Sequence, residues 1–143
     1  MRCSWLGIVA LVVASAANAE STPVRCSIEA RHSDGRLSIE WKSAECTSKE
    51  DCHSRNGNSE MEWSKWQGIK PADLDREGAA LDARMKAEAG ELRCAGTVHA
   101  GVLNGTYSFT PDAQFAQRME AMGFAQQTPE RLEGYALLDV TTT

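Results

Sequence analysis

Cys46, Glu50, Asp51, Cys52 and His53 form the densest group of chemically capable side chains in the chain. Two thiols and an imidazole are zinc ligands by type, and carboxylates beside a histidine could begin an acid–base pair. The spacing favours neither chemistry. Cys46 and Cys52 are six positions apart, without the paired Cys-x-x-Cys knuckles of a zinc site, and the segment lacks the alternating oxygen ligands of a calcium loop. The three histidines, His32, His53 and His99, stand in no recognisable frame with a nucleophile. Neither a Gly-x-Ser-x-Gly elbow nor a phosphate-cradling glycine loop occurs. The reading therefore assigns no catalytic residue, no metal ligand and no cofactor, and expects no enzyme.

The cysteines point instead to oxidation. Five occur among 143 residues, and Cys3 lies in an N-terminal segment with the marks of an export signal: Arg2, an apolar core over 5–13, then Ala17, Asn18 and Ala19. That core is shorter than the roughly 20 residues needed to cross a bilayer. Residues 1–19 are expected to be a cleaved signal peptide, and 20–143 a single exported domain without a membrane anchor, periplasmic or secreted. Four cysteines then remain, Cys26, Cys46, Cys52 and Cys94, an even number that suits disulfides in an oxidising compartment. Three pairings are open. Cys46 with Cys52 is favoured because both sit in one polar loop, leaving Cys26 to meet Cys94.

Trp63 and Trp66 recur three apart around Ser64 and Lys65. Two indoles this close are a candidate partner-binding pair, since tryptophan dominates binding hot spots; the competing reading is that they plug the end of a small core.

The elements that must position these groups follow from the apolar pattern. Over 24–42, Cys26, Ile28 and Ala30 alternate, as do Leu37, Ile39 and Trp41, on either side of Ser33, Asp34 and Gly35, which predicts a hairpin. Its other faces carry Arg25, Glu29, Arg36, Glu40 and Lys42. Residues 43–60 are rich in Ser, Lys, Glu, Asp and Asn and read as a loop. Pro71 to Asp75 suggest a short helical turn. Alternation predicts strands over 79–87, 91–98 and 103–109, with turns at Ala89 and Gly90 and near Ala100 and Gly101; Asn104 and Gly105 read as a bulge or part of that turn. Thr110 and Pro111 predict the N-cap and first residue of a helix that buries Phe115, Met119 and Met122 and stops at Gly123. Thr128 and Pro129 repeat that start for a second helix. The expected fold is α+β, an antiparallel sheet of about five strands with two C-terminal helices.

Without Arg2 the mature chain has 14 basic against 20 acidic side chains, and no Lys/Arg cluster offers a face to phosphates, so neither nucleic acid nor an anionic membrane is expected as partner. Residues 90–96 (GELRCAG), 104–111 (NGTYSFTP), Phe115, Met119, Met122, Gly123 and 137–140 (LLDV) resemble a repeat unit of exported bacterial proteins, found also in the extracytoplasmic tails of BlaR-type antirepressor sensor peptidases. The resemblance covers the second half of the chain and implies a β-rich module ending in helices, outside the inner membrane, with no catalysis of its own. The sensor's His-Glu-x-x-His pair is missing from this sequence. The function expected is a non-catalytic binding or interaction module of the bacterial cell envelope, with an envelope protein as partner. The alternative is a small secreted hydrolase or an inhibitor of one.

Overall fold

The structure, a computed structural model, describes residues 23–31, 36–46 and 52–143. The expected signal segment 1–19, the turn at Ser33, Asp34 and Gly35 with His32 beside it, and Glu50 and Asp51 lie outside the described residues. So do the side chains of Cys46, Cys52 and His53.

Period-two alternation builds an antiparallel sheet from β1 (Arg25–Arg31), β2 (Arg36–Cys46), β3 (Cys52–Glu62), β4 (Trp66–Gln67), β5 (Ala80–Ala87), β6 (Gly90–His99) and β7 (Val102–Pro111). Two helices follow, α1 (Ala113–Ala121) and α2 (Pro129–Leu137). The class is α+β as expected, but the sheet has seven strands instead of about five, in the order β3-β2-β1-β7-β6-β5-β4. One addition is β3, whose residues had read as a loop. Asn56, Asn58, Glu60 and Glu62 are polar because they face water, and the backbone ladder to β2 holds the strand in register from Arg36 opposite Glu62 to Cys46 opposite Cys52. The other is the two-residue β4, too short to show a period.

The sheet is rolled. β3 and β4 lie at its opposite edges, yet only Trp63–Lys65, a 3-10 turn, joins them. Four residue steps from Glu62 to Trp66 span at most about 14 Å, so the edges must come that close. β3 and β4 act as one bent strand that pairs first with β2 and then, through Trp66 and Gln67, with Met85 and Arg84 of β5. The core fills the inside of this roll. Ile28, Leu37, Ile39, Leu92, Cys94 and Leu103 are fully buried there, and the register puts them on one face. Removing each such side chain from water contributes about 1.5–3 kcal/mol. α2 lies against β5, β6 and β7. At its far end Ser59 Oγ of β3 donates to the Leu137 carbonyl at 3.0 Å.

A disulfide joins Cys26 of β1 to Cys94 of β6, as expected. β7 runs between those strands. Two strand spacings in a flat sheet would put the cysteines about 9.6 Å apart, but their Cα atoms are 6.0 Å apart. The sheet is therefore folded sharply over β7. At the fold Gly96 faces Gly105, and a Cβ on Gly96 would lie 2.0 Å from the Asn104 carbonyl oxygen. Only two glycines allow the backbones to approach this closely. Asn104 and Gly105 are thus ordinary ladder residues of β7, neither bulge nor turn. The turn itself is at Ala100 and Gly101, both at positive φ.

The start of α1 differs from expectation. Thr110 and Pro111 end β7 opposite Glu91 and Gly90, and Asp112 is the N-cap, its carboxylate accepting from the Phe115 N–H at 2.7 Å. Strand pairing runs up to the proline because β1 pairs with β7 only as far as Thr106, so this end of β7 is an edge on that side, where proline is tolerated. Phe115 and Met119 are buried as expected. Met122 is 52% exposed, because it is the C-cap, where the chain turns off the helix axis at Gly123. For α2 the expectation holds: Thr128 caps the Arg131 N–H and Pro129 is the first residue.

Candidate functional site

Trp63 and Trp66 are separated by the 3-10 turn that carries the chain from one sheet edge to the other, and that turn sends them to different environments. Trp66 opposes Met85 in β4 and is 6% exposed, so it belongs to the core. Its indole Nε1 is buried and has no hydrogen-bond partner among the described residues. Leaving such a donor unmet costs about 1–3 kcal/mol. Trp63 is half-buried against the edge of the core. Both line a cleft of about 690 Å³ whose wall includes Ile69, Pro71 and Leu81, with Lys70, Asp73 and Arg76 also around it. The core-plug reading holds for Trp66, and a surface reading remains for Trp63. Asp73 is engaged locally, accepting from the Lys70 N–H and from Arg76 Nη2, both at 2.8 Å.

His99 stands at the β6–β7 turn with its side chain 80% exposed, hydrogen-bonded through Nδ1 to Glu77. Glu77 also accepts from the Ala100 N–H at 2.9 Å. These bonds, the backbone one foremost, hold the Glu77 carboxyl below its ordinary range. The pair staples a turn to the segment after Asp75 and has no nucleophile beside it. Backbone register sets His53 opposite Glu45 and Cys46 opposite Cys52. The zinc reading of Cys46, Cys52 and His53 and the expected Cys46 to Cys52 bridge both rest on side chains outside the described ones. Among the described residues no group of three or more His, Cys, Asp and Glu could hold a metal.

Several other charged groups close on one another. On the outer face, Asp82 accepts from Arg93 Nε at 2.6 Å and Nη2 at 2.9 Å, and from Arg84 Nη2 at 2.8 Å. The Arg93 bonds, then the Arg84 bond, hold its carboxyl well below the usual carboxylate range. Glu88 accepts from Arg118 Nη2 and from the Thr142 N–H, each at 3.0 Å, and from the Thr142 hydroxyl. Lys65 pairs with Asp139 across the end of α2. Inside the roll, Tyr107 stacks on Trp41 with ring centroids 5.5 Å apart, and its hydroxyl donates to Glu133 of α2 at 2.7 Å. Sequence reading missed this buried pair: Glu133 sits on the face of α2 that carries Leu132 and Ala136, and nothing local marks it as inward.

It also missed a juxtaposition on the outer face. Arg25 lies directly opposite Lys42, with Thr106 beyond it on β7 and Asn56 beyond Lys42 on β3. One step along each strand on the same face, Asn104, Ser27, Glu40 and Asn58 form a second row. Counting outward from Asp34 and Gly35 would have set Arg25 opposite Ala44, two residues from the observed partner Lys42, and the hairpin's outer face reads from the sequence only as wet.

Comparison with family models, with characterised proteins and with solved structures finds no match to this chain.

Proposed function

We propose that this chain is an exported, non-catalytic binding module of the bacterial cell envelope, and that it holds its partner, an envelope protein, in the cleft beside Trp63. The observation that carries the reading is the cleft itself. Its lining, more than its volume, marks it. It offers an aromatic wall at Trp63, apolar surface from Ile69, Pro71 and Leu81, and charge from Lys70 and Arg76 nearby. That composition suits an apolar side chain with an acidic neighbour. The ion pairs elsewhere support a non-catalytic reading, because the carboxylates that bind arginines are held in the charged form, which is a poor proton shuttle at neutral pH. The Cys26 to Cys94 disulfide suits an oxidising compartment, and no helix among the described residues is long and apolar enough to cross a membrane.

The test is site-directed photo-crosslinking in cells that export the full chain, with a photoreactive phenylalanine analogue at position 63 and, separately, at position 86 on the outer face of β5. A single adduct of defined mass from position 63, absent from position 86 and reduced by Arg76→Glu, is expected. Equal labelling from both positions, or none from either, would overturn the proposal.

A further inference from the structure

We infer that the outer face of strands β7, β1, β2 and β3 is a second binding surface, separate from the tryptophan cleft, and that its ligand is a glycan bearing sparse carboxylates. The starting observation is a broken pairing rule. Arg25 and Lys42 are directly opposite in an antiparallel ladder, where like charges destabilise. Neither forms an ion pair among the described residues, although Glu29 and Glu40 on the same face could have supplied complementary partners by exchange of position. Local rules are broken most often where a site needs them broken.

The two cations are not isolated on a flat surface. Arg25, Lys42, Ser27, Asn104 and Thr106 line a hollow of about 490 Å³, and Lys42 continues into a second of about 290 Å³ with Asn56 and Asn58. Glu40 lines both. From β7 to β3 the rows cross three strand spacings, about 14 Å, which is too long for a single small ion and long enough for a short chain. Three asparagines, a serine and a threonine both give and accept hydrogen bonds, which matches hydroxyl groups. The adjacent cations match one carboxylate, and Glu40 can accept from a hydroxyl.

The same residues exclude a densely charged polymer. Glu40 stands in the second row, and Glu29 and Glu60 flank Ser38 in the row beyond. A phosphate at every repeat would be driven against these carboxylates, whereas an acid group followed by neutral hydroxyls would not. The chain's net charge of −5 points the same way.

The probes are a hyaluronan oligosaccharide as the acidic glycan, with one carboxylate for every two sugars, dextran as the neutral one and heparin as the dense polyanion, with binding to the intact oxidised protein followed by calorimetry. The variants are Arg25→Gln and Lys42→Gln, with Lys86→Gln as a control cation elsewhere on the outer face. The hyaluronan oligosaccharide should bind in preference to dextran and heparin. Each site variant should weaken it by about tenfold or more, the loss expected for one charge-assisted hydrogen bond, and Lys86→Gln should leave it unchanged. Lys42→Gln should also melt no lower than the parent, since it relieves a like-charge contact; that separates lost binding from lost folding. Equal binding of dextran, tighter binding of heparin, an equal effect of Lys86→Gln, or no binding of the hyaluronan oligosaccharide would each overturn the inference.

Discussion

Gly57 illustrates how one side chain can set a strand's partner. It faces Trp41 across the β2–β3 ladder, and a Cβ there would sit 2.5 Å from the indole Cζ2. The indole occupies the space over the glycine and stacks on Tyr107, so Gly57→Ala must push it off that ring. Overpacking of this kind should cost about 1–3 kcal/mol, read as a lower denaturant midpoint with unchanged slope. Asp82 gives a prediction in acid. Its carboxyl is depressed in the folded protein, so its contribution is complete above the ordinary carboxylate value of about 3.9 and is lost as pH falls below that toward the depressed value. Glu77 and Glu88 shift in the same direction. Stability should therefore fall as pH drops below about 4, and Asp82→Asn should flatten the acid limb of a melting-temperature profile. An unchanged limb would mean that solvent already screens the cluster.

At the scale of elements, caps and periodicity behave differently. Asp112→Ala should cost about 1 kcal/mol by freeing the Phe115 N–H, whereas Thr110→Ala, at an exposed strand end, should stay within about 0.5 kcal/mol. Denaturant melts of the two distinguish the true cap from its neighbour. Phe115→Ala should cost about 3–5 kcal/mol, because the ring is fully buried. The sequence pointed to Thr110 as the cap and Pro111 as the first helical residue, and only the pairing of Thr110 with Glu91 in the sheet moves the cap on to Asp112. Strands β5, β6 and β7 were legible because each has one face against the core, so Leu92, Cys94 and Val98 alternate with polar neighbours. β3 was not, because Ser59 and Gly57 take its inward positions beneath larger side chains of other strands. The tryptophan pair was legible by spacing, but its division into one core residue and one surface residue depends on the bend between β3 and β4. Arg25 and Lys42 required register, which no local pattern supplies.

For the whole molecule, the roll depends on contacts between distant parts of the chain. The disulfide closes a span of 68 residues, and a loop of that length contributes about 4 kcal/mol through the unfolded state. Cys26→Ala together with Cys94→Ala should lower stability by about that amount while leaving the far-ultraviolet circular dichroism of the folded form unchanged. A loss well under 1 kcal/mol would show that the fold over Gly96 and Gly105 restrains the reduced chain on its own.

The place of β1 between β2 and β7 also sets a timetable. Its inner neighbour β2 follows within a few residues, but its other neighbour, β7, pairs Thr106 with Arg25, 81 positions later. In a chain that emerges N-terminus first, that edge meets its partner only after those residues have followed. During the wait β1 is an open template for any passing strand, and charged side chains such as Arg25 and Glu29 are the usual guard against such capture. With so much of the roll built from long-range pairing, refolding should take milliseconds to seconds, which stopped-flow tryptophan fluorescence can time. Replacing Arg25 and Glu29 together by valine should leave the finished roll intact and reveal the guard's role as a lower refolding yield that worsens with protein concentration.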